Sequence, residues 1–469
     1  MKKHFLTLFS FLLTVTLLFS QENKVISPES YDIKPFVKEG FVLDDLLFTA
    51  MGFGSTGDSL PFWMYRNTNG RVDAETNAAG LLRGGLSYYF SDKSYIEFGA
   101  GAIASNGNKN ALRRDELYLS YVNPWLKVTL GSKTPFQEYQ GLSVVAKNFL
   151  LSGNSRALPG LLFEAPEPLM LSKVIGVDWG VGHYELNDDR FAANTKVHYK
   201  RLGLVVSVNE RSQFVGGIEH YAQWAGDSPE FGALPSSFND FLKVVLALRS
   251  EQGGNIPGEE LNSLGNHLGV YNFEYNFTPV SGRFSFYHQH PFEDGSGTAL
   301  KNFPDGIWGF YFGPNTVDFD NFITGFLIEY VQTTDQSGDL NGSGSGGDYY
   351  FSNGIYRSGW TYYGNNIGLP FITPQNDEMP EQTNNRTRGI NIGLTAANKN
   401  ISYKLKTSFV QNFGTFAFPF DPIEKEVYTS LSTIYSMENY GSIGVQLGYD
   451  YSDQNKDTFG AGLTYTYSY

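Results

Sequence analysis

Apolar and polar residues alternate with a period of two along most of this chain. At its end Phe459, Ala461, Leu463, Tyr465, Tyr467 and Tyr469 interleave with Gly460, Gly462, Thr464, Thr466 and Ser468. One face is aromatic and the other small and polar, which is the pattern of a β-strand with one oily side. Ile443, Val445, Leu447, Tyr449 and Tyr451 repeat it, as do Ile401, Tyr403, Leu405 and Phe409, and Tyr271, Phe273, Tyr275 and Phe277. Leu82, Leu86, Tyr88 and Phe90 face away from Arg83, Ser87 and Tyr89; Leu202, Leu204, Val206 and Val208 alternate less cleanly. Lys404, Lys406, Asn272, Glu274 and Asn276 fall on the opposite faces. A soluble sandwich would bury such groups at a cost of several kcal/mol each when unpaired. An enclosed wet interior would not. The pattern therefore predicts an all-β fold, a transmembrane antiparallel β-barrel of about 16 to 18 strands.

Two stretches depart from this period. Ser236 to Leu246 places Phe238, Phe241, Leu242, Val245 and Leu246 at helical spacing behind a Ser237/Asp240 cap pair. Glu138 to Leu151 reads as a second helical insertion. Short helices and inward loops are expected to plug the lumen, with the insertions near 138–151 and 236–250. Irregular segments fall at 58–78, 225–265, 291–305, 334–386 and 412–425. The longest, 334–386, is the expected outward surface, because barrels carry long loops outside and short turns on the periplasmic side.

The first twenty residues change the compartment. Lys2 and Lys3 precede an uncharged stretch from Phe5 to Phe19, the form of a secretory signal peptide over residues 1–20. A periplasmic segment would follow over 21–45 and the barrel over 46–469. Loss of the leader takes the net charge from −14 to −16. That acidity excludes nucleic acid as a partner, since phosphate binding needs concentrated Lys and Arg. The absence of cysteine excludes a disulfide framework. The 52 glycines and 16% aromatic content suit a barrel with interfacial girdles. The expected location is the cell outer membrane.

Few motifs carry chemistry. Gly52 to Gly57 fits a dinucleotide fingerprint, but Asp58-Ser59-Leu60-Pro61 follows where a helix is required. His288 and His290 with Glu293 and Asp294 could ligate a metal. The simpler reading is a structural, hydrogen-bonded cluster in the lumen or at its rim. Ser337, Asp339, Asn341, Gly342 and Asp348 partly fit a calcium loop; the alternative is a solvated linker. The expectation is no cofactor, no metal and no catalytic centre.

Aromatic residues flanked by arginine and amides are more informative. Trp63, Arg66 and Asn67 form one such group. Trp308 stands alone. Arg357, Trp360, Tyr362, Tyr363 and Asn365 form another. Aromatic planes stack on the CH faces of sugars, and the guanidinium fork pairs with uronate carboxylates. These are the candidate carbohydrate-binding residues. Packing and girdle formation account for aromatics equally well in any barrel.

The blocks PFWMYRNTNGRVD (61–73), LLSGNSRALPG (150–160), NHLGVYNFEYNF (266–277), YHQHPFEDGSG (287–297), DGIWGFYF (305–312) and SGWTYYGNNIGLP (358–370) resemble the Bacteroidetes-type branch of the Wzi capsule assembly family. The resemblance implies an outer-membrane barrel of about eighteen strands. It also implies a lectin-like role in holding capsular or other surface polysaccharide at the cell surface, with inward loops closing the lumen and polysaccharide export machinery and outer-membrane lipid as neighbours. Arg357, Arg386 and Arg388 would offset the negative charge near an acidic glycan. An outer-membrane enzyme acting on lipid or glycan and a diffusion porin are the competing readings.

Overall fold

The computed structural model describes residues 39–107, 110–248, 263–315, 322–337 and 348–469, and everything below concerns these. The signal and most of the periplasmic segment lie outside them.

Eighteen full strands form one antiparallel sheet. They are β1 (Gly40–Ser55), β2 (Ala78–Ser91), β3 (Ser94–Ser105), β4 (Leu112–Val122), β5 (Lys127–Ser132) and β6 (Gly160–Glu164). Next come β7 (Ile175–Leu186), β8 (Thr195–Asn209), β9 (Ser212–Trp224), β10 (Asn266–Phe277), β11 (Arg283–Phe292) and β12 (Gly306–Gly313). The set ends with β13 (Ile323–Gln332), β14 (Thr387–Asn398), β15 (Ile401–Gly414), β16 (Pro419–Met437), β17 (Gly441–Ser452) and β18 (Thr458–Ser468). The pair Leu169–Met170 adds a short rung beside β7. β1 pairs with both β2 and β18, from Leu47 opposite Ser468 to Ser55 opposite Gly460, so the sheet closes. Closure leaves no unpaired edge, the condition for a sheet to sit in lipid.

The outer face is oily where the alternation said it would be. Phe459, Leu463, Tyr465 and Tyr467 are exposed, while Gly460 and Gly462 between them are buried or close-packed against Pro61, Met64 and Phe53. The connections 56–77, 133–159, 225–265 and 333–386 emerge at one end, and 92–93, 123–126, 210–211 and 399–400 at the other. Long loops mark the extracellular end.

The lumen is filled. Segment 133–159 and segment 348–386 cross inside it, with Leu142, Val144, Phe149, Leu150, Trp360, Tyr362 and Leu369 in one core with the inward-facing Tyr199, Leu268, Val270, Ile307 and Leu327. Trp360 Nε1 donates to the Leu150 carbonyl (2.7 Å), and Leu369 N donates to Phe149 O (3.1 Å). At Gly368 a Cβ would stand 2.3 Å from the Phe149 carbonyl, so the crossing needs glycine there.

Polar wall residues hold this plug. Glu329 on β13 is 1% exposed and accepts from Ser143 Oγ (2.6 Å), Val144 N (2.8 Å), Tyr287 Oη (2.5 Å) and Asn391 Nδ2 (3.1 Å). Lys406 Nζ donates to Ser143 O (2.8 Å) and lies 3.5 Å from the centre of the Trp63 ring. Lys147 of the plug pairs with Glu274 (2.5 Å) and Glu138 (3.0 Å). Burial alone would lower the Lys147 pKa; the two carboxylates outweigh it and hold the ammonium above its ordinary value.

Several expectations need correction. The stretch 138–151 is not a helix: after one 3-10 turn at Tyr139–Gly141 it runs through turns, with positive φ at Tyr139, Gln140, Ala146 and Lys147. The Val144 amide and the carbonyls of Leu142, Ser143 and Lys147 bond wall side chains, while Ser143 Oγ and Asn148 Oδ1 take the amides of Val145, Lys147, Leu150 and Leu151. The helix near 236–250 exists as α2 (Phe238–Leu246), after the short inward helix α1 (Phe62–Tyr65), and has the Ser237/Asp240 capping box. α2 does not enter the lumen; it packs on the outer wall through Phe241 and Val244 against Ala222 and Trp224. α1, which shows no sequence periodicity, is the helix inside. The barrel begins at Gly40, not near 46, and the break expected over 412–425 shrinks to 415–418.

Replacing Glu329 by leucine leaves Ser143 Oγ, Val144 N and Tyr287 Oη without this acceptor and removes the buried negative charge that faces Lys406. Loss of a buried charge partner costs about 3–5 kcal/mol. The variant should keep heat-modifiable barrel migration yet conduct ions in planar bilayers, where the parent is closed; a closed Glu329→Leu channel would remove Glu329 from this role.

Candidate functional site at the extracellular mouth

The plug reaches the surface in a short hairpin. Thr361–Tyr362 pairs with Asn365–Asn366, leaving Tyr363 and Gly364 at the tip. Tyr363 is 40% exposed, its amide donates to Asp188 (2.8 Å), and the Arg156 guanidinium sits 4.1 Å from its ring centre. On the other flank Arg66 donates to Asn365 Oδ1 (3.0 Å) and lies 5.0 Å from the Tyr65 ring centre. Arg156 also donates to the Arg114 carbonyl (2.8 Å). Gly70, at φ +63°, lets Arg156 pass: a Cβ there would meet Arg156 Cγ at 2.6 Å.

Charge at this mouth is uneven. Asp115 is paired with Arg71 (2.6 Å), Asp73 with Arg113 (3.1 Å) and Asp188 with Arg190 (3.1 Å). Arg66, Arg114 and Arg156 have no carboxylate partner among the described residues, and the Nε atoms of Arg66 and Arg114 reach no acceptor. A chain with a net charge of −14 thus carries a local surplus of three cations beside two tyrosines.

The predicted residues do not assemble into one site. Arg66, Tyr363 and Asn365 meet at the mouth. Trp63, Trp360 and Tyr362 are buried beneath it, with Trp63 Nε1 bonded to Ser408 (3.1 Å) and Tyr362 Oη to Asn187 (2.6 Å). They form the floor and offer no free ring face to a sugar. Asn67 is held by the Val144 carbonyl (2.8 Å). Arg357 pairs with Glu230 and covers the Phe191 ring, and Trp308 stands on the outer wall, stacked 3.7 Å from His288. Arg386 and Arg388 lie over Phe416 (4.0 Å) and Phe413 (5.6 Å). Arg114, Arg156 and Tyr65 join the mouth without having been among the candidates, because lone arginines in loops carry no spacing signal.

The cluster at 288–294 separates. His288 and His290 face outward, opposite to the inward Tyr287 and Gln289, so of the two expected positions, lumen or rim, the lumen does not hold for them; His288 bonds the Ile307 carbonyl (3.1 Å) and His290 bonds Asn302 (2.8 Å). Glu293 accepts from Phe351 N (2.9 Å), and its burial raises its pKa well above the usual carboxylate range. Asp294 caps α3 (Gly295–Thr298) through Ser296 N (2.6 Å) and Gly297 N (3.1 Å). Among the described residues no three His, Asp or Glu side chains converge as a metal site. Of the calcium-loop candidates, Asp339, Asn341 and Gly342 lie outside the described residues, and Asp348 accepts from Ser337 (2.7 Å). Gly52–Ser55 is the end of β1, with no helix directly after it.

A closed barrel with an oily exterior, extracellular loops and a packed plug is an outer-membrane β-barrel. The profile of the capsule assembly protein Wzi matches residues 63–462, and the chain belongs to that family. In structure it is similar to Wzi of Escherichia coli, described as an outer membrane protein involved in group 1 capsule assembly and a carbohydrate-binding β-barrel. Identity is 14%, with 89% of this chain and 83% of that one covered at a TM-score of 0.57. It is also similar to OccK3 (OpdO) of Pseudomonas aeruginosa, at 10% identity, 92% and 95% coverage and a TM-score of 0.50. No curated protein matches the chain.

One carboxyl near the mouth titrates in an accessible range. Burial, and then the negative charge of Asp294, push Asp348 up to about 7 from an ordinary 3.8. Between these values the folded loop holds a proton that the unfolded chain releases, so its stability falls as pH rises through that window. After correction for intrinsic rates, amides at 348–353 should exchange more slowly at pH 5 than at pH 8. Asp348→Asn should abolish the difference; an unchanged difference in that variant assigns it elsewhere.

Proposed function

We propose that this barrel binds surface polysaccharide at its extracellular mouth and retains it there, without turnover. The observation that carries the reading is the pair Arg66 and Arg156, which have no carboxylate partners and flank the hairpin of the exposed Tyr363, with Arg114 of the wall next to Arg156. Tyr363 and Tyr65 present ring faces to sugars, while Arg66, Arg114 and Arg156 suit carboxylate-bearing units, so an acidic capsular or exopolysaccharide fits best. The membership of the Wzi family and the carbohydrate binding of the E. coli protein support the same reading.

Each contact is weak on its own. A polymer that repeats its units converts weak contacts into retention through effective concentration. The filled lumen disfavours a diffusion porin. A hydrolytic reading has no support in the mouth, where the carboxylates Asp73, Asp115 and Asp188 are each neutralised by an arginine.

Charge-assisted hydrogen bonds contribute about 1.5–3 kcal/mol each. Arg156→Ala should therefore weaken binding of the host's acidic polysaccharide about tenfold or more, and Tyr363→Ala by several-fold. Both should leave heat-modifiable migration unchanged, and added salt should weaken the parent. Equal binding by parent and Arg156→Ala would overturn the site. In cells, deletion of the gene should release polysaccharide into the medium at unchanged total synthesis; full retention would overturn the function.

A further inference from the structure

Strands β7 to β10 reverse their polarity along their length. Low on the wall, Val181, Leu202, Leu204, Phe214 and Phe273 point out and are exposed, while Asp178, Arg201 and Glu274 point in. Towards the extracellular end the outward positions become His183, His198, His220 and His267, with Lys196 and Lys200 among them, and the inward ones become Leu186, Val197, Tyr221 and Leu268. The exposed oily exterior of these strands therefore stops at the histidines, where Ala222 and Trp224 are the apolar outward residues and lie beneath α2.

α2 lies across this boundary. Its inner side sits on the wall: the Phe241 ring centre is 5.6 Å from that of His183, 5.5 Å from His198 and 5.4 Å from Trp224. Lys200 Nζ donates to the carbonyl of Val245 at the C-terminal turn, where a cation complements the helix dipole. The outer side should be polar if it faced water. It carries Phe238 (75% exposed), Leu242 (42%) and Leu246 (65%), which share one stripe at i, i+4 and i+8. That stripe continues the oily exterior of β7 and β8 beyond the level where the exposed oily wall stops.

We propose that α2 is an interfacial anchor whose outer stripe is covered by acyl chains of the outer leaflet. The occupant is lipid, because the stripe is continuous with the lipid-facing wall and lies at its upper edge. An amphipathic helix in this position sinks its apolar side to the headgroup–acyl boundary. It would fix the height of the barrel in the membrane and hence the height of the mouth above it. The inference does not depend on what the mouth binds.

The chain has no cysteine, so single labels report without background. Leu242→Cys and Leu246→Cys, each carrying an environment-sensitive fluorophore, are placed in lipopolysaccharide-containing vesicles with a nitroxide-bearing lipid. Leu204→Cys on the lipid-facing wall and Gln454→Cys in an exposed extracellular loop set the limits, and heat-modifiable migration confirms each barrel. The α2 labels should be quenched several-fold more than the Gln454 label and independently of protein density. Quenching no greater than at Gln454 places the stripe in water and overturns the proposal. Emission that depends on protein density assigns the stripe to a second copy of the chain, and overturns it equally.

Discussion

Satisfaction of the plug's backbone inside a closed wall is the constraint on which the rest of this structure depends. A segment threaded through a lumen without helix or sheet leaves its amides and carbonyls unpaired, and buried unpaired groups are costly. Here the wall supplies partners for Val144 N and for the carbonyls of Leu142, Ser143 and Lys147, and the segment's own Ser143 and Asn148 side chains take four further amides. Glu329 receives Ser143, Val144, Tyr287 and Asn391, Lys406 meets the Ser143 carbonyl, and Gln289 donates to Lys147 O (2.8 Å). These bonds allow 138–151 to keep a conformation its sequence does not favour locally. They also fix the second segment, 348–386, which crosses the first through Phe149 and Leu150.

The mouth inherits its rigidity from that crossing. Tyr363 sits at the tip of the hairpin that rises from Trp360, and Asn154 Nδ2 donates to Asn366 O (2.9 Å) just beneath. Arg156 is delivered by the same segment that Glu329 secures. The proposed binding surface is built on loops, but the crossing packs them against the wall, which would lower the ordering cost of contact with a flexible polymer.

The barrel is legible in the sequence because lipid outside and polar groups inside impose a two-residue period on β15, β17 and β18. The period fades in β8, where the upper half faces a hydrophobic plug inside and a polar boundary outside. Alternation survives there, but its sign inverts, so Leu202 to Val208 reads as an imperfect strand and the continuation to Thr195 looks like a separate one. The five-residue β6 is too short a pattern to register. A helix at 138–151 follows from local apolar spacing, which carries no trace of the partners offered by distant strands. Composition picks out Arg66, Tyr363 and Asn365, yet it does not separate them from the floor residues Trp63 and Trp360, whose burial is set by the long-range crossing. Arg156 and Arg114 become visible only once the acids nearby are seen to be paired elsewhere.

The most direct test of the anchored plug is amide hydrogen exchange of the parent barrel in detergent or lipid. Amides of 142–151, which belong to no helix or strand, should be protected to a degree comparable with those of β13 and β14. Exchange of that segment at the rate of the exposed turns 92–93 and 399–400 would contradict the account, because it would show a lumen occupied by a loose loop and a mouth with no fixed foundation.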